Sequence, residues 1–222
     1  MRFDLLAALS ICSSGQSESL GTLNHLRAVH HLIRYVNSTI SRALVWEFPV
    51  PLEQINNLPE ANFAITLQGE FDANLPLSKA RQGLVLRVSV MGNDFFTTCG
   101  QSTSQSTISQ STTESELKAA SWCARAVIGE SNLIREIFPT AEIFRVMVGD
   151  NEAANLIGNA QSSVRRVRHL VLADLYVREI SENGLVKIRS RRTTEMAADF
   201  LTKVCDRATL KALLHRANLF DL

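Results

Sequence analysis

Ile143-Phe-Arg-Val-Met-Val-Gly-Asp-Asn151 is an apolar run that ends in an acid and an amide. Its length and its branched residues predict a buried strand with a carboxylate at its C-terminal end. Downstream, Glu152 to Ile157 and Val164 to Ser181 predict helices, Leu185 to Arg189 a further strand, and the remainder a last pair of helices. Upstream, a long amphipathic helix carries Leu117, Ala120, Ala124, Ile128, Leu133, Ile134 and Ile137, and Thr113-x-x-Glu116 opens it as a capping box. Before that helix the period is β. Phe63 to Phe71, Leu84 to Val90 and Phe95 to Cys99 predict strands, with Met91-Gly-Asn-Asp94 as the hairpin turn between the last two. The polar tract Gln101 to Thr113 has a linker's composition, but the alternation Ser106-Thr-Ile-Ser predicts a hairpin and strand there. Three strands, helix, strand, helices, strand and helix make a mixed α/β sheet with helices on both faces.

Ahead of the sheet, apolar residues recur at helical spacing from Leu5 to Val36, broken at Ser13-Ser14-Gly15 into two helices, the second over about Leu20 to Asn37. His30 and His31 on it are adjacent, so they point apart and do not form an i, i+4 metal pair. Trp46 to Pro59 reads as a connector. The chain has 222 residues, 45% of them apolar, so a sizeable core can form. With 23 basic and 22 acidic residues the net charge is +1, which excludes a uniformly basic coat and requires a local patch for any anionic partner. Between Val164 and Arg192 eight Lys/Arg stand against three Asp/Glu, an asymmetry that fits either a phosphate-tracking patch or a solvated helix face. Cys12, Cys99, Cys123 and Cys205 are far apart, without metal-ligand spacing, and read as reduced thiols of an intracellular protein. Charged residues interrupt each apolar run well short of the roughly 18 residues of a membrane span.

Four acids sit at telling places. Asp72 is near the end of the first strand, Glu116 in the first turn of the long helix, Asp150 at the end of the fourth strand, and Asp199 at the start of the last turn-rich helix. Taken singly, each reads equally as a surface carboxylate or a cap, as do Asp94, Glu114 and Glu152. If they converge, they cannot all stay ionised without counter-charge, and hard divalent cations are what such a cluster holds.

The residues around these acids resemble a known family. Ser109-Gln-Ser-Thr-Thr-Glu-Ser-Glu-Leu-Lys-Ala-Ala-Ser121 is similar to the S-T-x-E-x-E-x-x-A-A segment of the RNase H domain in copia-type retrotransposon Pol polyproteins. Val148-Gly-Asp-Asn-Glu-Ala-Ala154 resembles its D-N-x-x-A block, Arg166-Val-Arg-His-Leu170 its R-T-K-H-I-D helix, and Thr193-Thr-Glu-Met-Ala-Ala-Asp-Phe-Leu-Thr-Lys203 its T-x-x-x-x-A-D-x-x-T-K ending. Arg2-Phe-Asp4 and His25 to Tyr35 resemble the segments that follow the reverse transcriptase. The blocks run in the family's order over nearly the whole chain. Three departures stand out: the family's D-A-D-W is Asp72-Ala-Asn-Leu75, its W-x-S-x-K-Q is Gly100-Gln-Ser-Thr-Ser-Gln105, and the helix Asp after R-T-K-H-I is Val171.

The resemblance implies an RNase H-like mixed five-stranded sheet preceded by an N-terminal helical segment. It divides the chain into a helical junction (1–60), an RNase H-like domain (61–208) and a C-terminal helical tail (209–222). It implies Asp72, Glu116 (with Glu114 as runner-up), Asp150 and Asp199 as catalytic residues and as ligands of two Mg²⁺ ions, with Mn²⁺ as a substitute. The reaction implied is endonucleolytic hydrolysis of the RNA strand of an RNA–DNA hybrid by the two-metal route. Arg165, Arg166, Arg168, His169, Arg189, Arg191 and Arg192 would meet the hybrid's phosphates. The implied partners are the hybrid and the reverse transcriptase portion of the same polyprotein, without a membrane. The implied location is the cytoplasm, a virus-like particle or the nucleus. Two other readings stay open: an inactive RNase H-like nucleic-acid-binding or structural module from a degenerate element, and an RNase H-like nuclease acting on DNA.

Overall fold

The computed structural model describes residues 2–6, 8–9, 23–45, 64–75, 80–92, 95–162, 175–203 and 205–221. After one short helical turn (Phe3–Leu5) come a helix α1 (Leu23–Ser38) and a short strand β1 (Arg42–Leu44). Three antiparallel strands follow: β2 (Ala64–Asn74), β3 (Arg81–Val90) and β4 (Phe96–Ser104). Helix α2 (Thr112–Ile137) leads to β5 (Glu142–Gly149), α3 (Glu152–Gly158), α4 (Tyr176–Glu182) and β6 (Lys187–Ser190). Two 3₁₀ turns (Thr193–Glu195 and Ala197–Leu201), helix α5 (Arg207–Arg216) and strand β7 (Leu219–Asp221) complete the described chain.

The main sheet has the order β4-β3-β2-β5-β6. β2 pairs antiparallel with β3 and parallel with β5, which pairs parallel with β6. Alternation along β2 assigns its two faces. Leu67, Phe71 and Ala73 enter a core with Leu117, Ala120, Cys123, Ala124 and Val127 of α2, together with α3 and α4. On the opposite face Val85 of β3 packs with Ala197, Phe200, Leu201 and the α5 residues Leu213 and Leu214. A Cβ on Gly83 would stand 2.7 Å from the Leu201 Cβ, so a glycine there is what lets the second 3₁₀ turn lie directly on the sheet. The result is the mixed five-stranded sheet with helices on both faces, preceded by an N-terminal helix, that the resemblance implies.

Several local expectations are corrected. The tract 101–113 forms neither hairpin nor separate strand. β4 runs on to Ser104, and after an irregular segment helix α2 starts at Thr112. Its N-cap is Ser111, whose side chain accepts from the Glu114 N–H at 3.1 Å, so the cap lies two residues before the expected Thr113. β5 is buried only in its C-terminal half, through Met147 to Gly149, and Phe144 stays exposed. The expected final helix pair is two 3₁₀ turns and a single α-helix. Of the helix predicted over 164–181, residues 164–174 lie outside the described residues, as does the connector 46–59. Cys99, Cys123 and Cys205 are free thiols.

The N-terminal segment is tied down at two places. Arg2 donates to Asp4 and to the Thr39 carbonyl, and Asp4 accepts from the Tyr35 hydroxyl at 3.1 Å. β1 pairs antiparallel with β7, and Leu6 and Leu44 pack against the second cluster. Leu26, Val29 and Ile33 of α1 remain exposed.

Candidate metal centre

Strand register positions the first two acids. Glu70 of β2 pairs with Val148 of β5, so Asp72 and Asp150, each two residues further on, reach the same C-terminal edge of the parallel pair. The C-terminal edge of the parallel strands is where α/β sheets commonly place their chemistry. Asn151 then caps α3, accepting from the Ala154 N–H at 3.0 Å, and Asn155 donates to the Gly149 carbonyl at 2.9 Å. A Cβ on Gly149 would come within 2.5 Å of the Phe71 ring, so glycine is what lets β5 end this close to β2.

Glu116 is the fifth residue of α2 and faces the sheet, with its Oε1 accepting from the Ala73 N–H at 3.2 Å. Glu114, two positions earlier, turns away. It accepts from the Gln110 N–H and from Lys118 Nζ, both at 2.7 Å. Of the two helix acids, Glu116 is therefore the one brought to Asp72 and Asp150. These three carboxylates offer oxygens that all lie within 4.8 Å of one another.

Asp199 stands beside this triad and is joined to it through Lys203. The Lys203 ammonium binds the Asp199 carboxylate and lies 3.6 Å from Asp72 Oδ1. Thr202 donates its hydroxyl to Asp72 Oδ2, and Thr193 donates to Asp150 Oδ2 at 2.7 Å. Lys203, Thr202 and Thr193 were not among the expected site residues, although all three lie within the Thr193–Lys203 block; the spacing of Asp199 and Lys203, i and i+4, was the available signal.

Electrostatics follow from burial. Asp72 is 1% exposed and Glu116 5%. Burial, then Asp72 and Asp150, push the Glu116 carboxyl up to about 9, against the Ala73 N–H and Lys203. Burial pushes Asp72 up to about 6, held down by the Thr202 hydroxyl and Lys203 and raised further by Asp199 and Asp150. Among the described residues Glu116 Oε2 is buried with no hydrogen-bond partner. Three hard oxygen donors, a shortage of cations and one orphaned buried oxygen fit a divalent ion such as Mg²⁺ or Mn²⁺.

Of the expected nucleic-acid contacts, Arg165, Arg166, Arg168 and His169 lie outside the described residues. Arg189 and Arg192 are exposed at the end of β6. Arg191 turns inward instead: it donates to Glu70 at 2.8 Å and to Gln68 at 3.2 Å.

No protein-family profile matches the chain, and no curated protein does. Solved structures similar to it include RNase H1 from the halophilic archaeon Halobacterium salinarum, at 12% identity and a TM-score of 0.42, over 58% of this chain and 86% of that one. Another is an N-terminal RNase H domain from Mycobacterium tuberculosis, at 10% identity and a TM-score of 0.43, over 70% of this chain and 99% of that one. A third is the foamy virus RNase H domain in solution, at 9% identity and a TM-score of 0.40, over 71% of this chain and 93% of that one.

Proposed function

We propose that the chain is a retrotransposon-type ribonuclease H that hydrolyses the RNA strand of an RNA–DNA hybrid with two Mg²⁺ ions, for which Mn²⁺ can substitute. The observation that carries this reading is the convergence of Asp72, Glu116 and Asp150 on one edge of the sheet, with a buried Glu116 oxygen left unpartnered among the described residues. The motif blocks around these acids support the retrotransposon type, and with it the reverse transcriptase portion of the same polyprotein as a partner.

Asp72, Glu116 and Asp150 would hold the metal, with Asp199 completing the ligand set. Bound there, the metal supplies Lewis acidity at the scissile phosphodiester and acidifies the attacking water. The protein's part is orientation and charge. Thr193 fixes the Asp150 carboxylate and Thr202 that of Asp72, so both are held before a ligand arrives. Glu116 keeps its proton in the metal-free protein and releases it to become a ligand. Arg189 of β6 and Arg192 just after it, both exposed, would neutralise phosphates of the incoming hybrid.

The test is cleavage of a labelled hybrid by the full chain in Mg²⁺, in Mn²⁺ and in EDTA, beside the Asp150→Asn variant. Cleavage in metal alone, abolished in the variant with hybrid binding equal or slightly tighter, is the expected result. The variant loses a ligand charge but also a repulsion toward phosphate. Full activity in the variant would refute the assignment. Binding without cleavage in either metal would favour the inactive module, and cleavage of duplex DNA in preference to the hybrid would favour the DNA nuclease.

A further inference from the structure

The two sides of the centre are compensated differently. On the Glu116 side no cation of the described residues lies within ion-pair distance of Glu116 or Asp150, Lys203 acting on them only from farther off, and Glu116 Oε2 is orphaned. On the Asp199 side a cation is built in. The Lys203 ammonium binds Asp199 and lies 3.6 Å from Asp72 Oδ1. The backbone holds it there. The Lys203 N–H donates to the Asp199 carbonyl at 3.2 Å, and Thr202, one residue earlier, donates its hydroxyl both to that carbonyl and to Asp72. The Lys203 side chain is nonetheless 34% exposed, which leaves the ammonium a way out to solvent.

We propose that Lys203 is a tethered cation filling the Asp72–Asp199 side of the centre, so that the chain takes one divalent ion tightly on Asp72, Glu116 and Asp150 and a second only by expelling Lys203. This rests on the metal-dependent reading above and concerns the order and stoichiometry of binding. An ion entering on the Asp72–Asp199 side competes with an ammonium whose effective concentration is high because it is attached. An ion entering the triad meets Lys203 only at Asp72, the one ligand of the three within ion-pair distance of it. Lysine suits this role as a compact point charge on a flexible stem, able to swing between the carboxylates and water. Loading of the second ion is then the step that a substrate phosphate, itself a metal ligand, would drive.

The test is a Mn²⁺ titration of the full chain without substrate, followed by calorimetry and by the electron paramagnetic resonance of free Mn²⁺. The wild-type chain should bind one ion tightly and a second at least about tenfold more weakly, and Lys203→Met should tighten the second by about tenfold. Two ions of similar affinity in the wild type, or a second constant unchanged in Lys203→Met, would overturn the role of Lys203 while leaving the metal centre intact. Absence of any ion whose binding Glu116→Gln weakens would overturn the metal centre, and Lys203's role with it. A second measurement needs no variant. The rate at which an amine-acetylating reagent modifies Lys203, read by peptide mass spectrometry, should stay flat through the first binding event and rise several-fold through the second. A rate flat across both events would refute the expulsion.

Discussion

Replacing Glu116 by glutamine should make the metal-free protein more stable at neutral pH while removing its response to Mg²⁺. Glu116 is 5% exposed, and its carboxyl is raised from 4.5 to about 9 by burial and by its two acidic neighbours. The native state therefore keeps a proton that the unfolded chain releases above pH 4.5. Stability falls as pH rises from there toward 9, and below 4.5 both states are protonated and the contribution vanishes. At about 1.36 kcal/mol per pH unit, holding that proton from pH 4.5 to 7 costs the wild type about 3 kcal/mol. Glutamine has no proton to lose. Its amide oxygen can keep the Ala73 N–H, and its NH₂ can donate toward Asp72 and Asp150 where Oε2 now has no partner. In EDTA at pH 7 the variant should melt higher by about 10 °C, given a few degrees per kcal/mol for a chain of this size. The gap should close toward pH 4.5 and widen toward pH 8. Mg²⁺ should raise the melting temperature of the wild type increasingly with pH, because binding displaces the proton, and should leave the variant nearly unmoved. Thermal unfolding by circular dichroism across that pH range, with and without Mg²⁺, reads all of this. A variant no more stable than the wild type at pH 8 in EDTA, or equally stabilised by Mg²⁺, would refute the reasoning.

Arg191 and Arg192 are neighbours with different expected roles. Arg191→Met removes a partner from fully buried Glu70 and should lower stability by about 2 kcal/mol in a urea titration, leaving the salt dependence of hybrid binding unchanged. Arg192→Met should leave the urea midpoint unmoved and reduce that salt slope by about one unit, the signature of a lost phosphate contact. Removing residues 1–45 deprives β7 of its partner β1 and the second cluster of Leu6 and Leu44, so the melting temperature should drop. The acids lie outside the deleted segment, and retention of the pH-dependent Mg²⁺ shift in the truncated chain checks that the centre survives.

The sheet was legible because its strands obey simple periods. Ile65, Leu67 and Phe71, Leu84, Leu86 and Val88, and Met147 and Val148 are apolar for a packing reason, and the structure buries them. Misread segments are those where side-chain hydrogen bonds override period. In the tract 101–113, Ser109 donates to Gln105, Gln105 donates to the Ser115 carbonyl, and Ser111 caps α2. These contacts fold polar residues against the helix start, whereas alternation alone predicted a strand. The cap shifted for the same reason. A capping box at Thr113 and one at Ser111 differ only in which glutamate reaches back, and Glu114 is engaged by Gln110 and Lys118. That shift decides which acid faces the sheet.

The site was less legible than the fold, because sequence places acids but not their counter-charges. Glu70 and Asp72 lie two residues apart on one face of β2, and both are buried. Nothing local distinguishes them. The difference comes from partners far along the chain. Glu70 Oε1 accepts from Gln68 at 2.9 Å, from Arg191 at 2.8 Å and from Arg87 at 3.4 Å, and its Oε2 accepts from the Ala197 N–H at 2.7 Å. Its charge is neutralised inside the protein, and it serves as an anchor for the segment that carries Thr193 and Asp199. Asp72 meets two further acids and a single lysine that it shares with Asp199. Arg87 reaches Glu70 from β3 and Arg191 from just beyond β6, across 17 and 121 residues of sequence, which no spacing rule detects. On the proposed reading, an acid of this chain serves as a ligand where the supply of internal cations runs short. Glu70 is on the supplied side of that boundary, and Asp72, Glu116 and Asp150 are on the other.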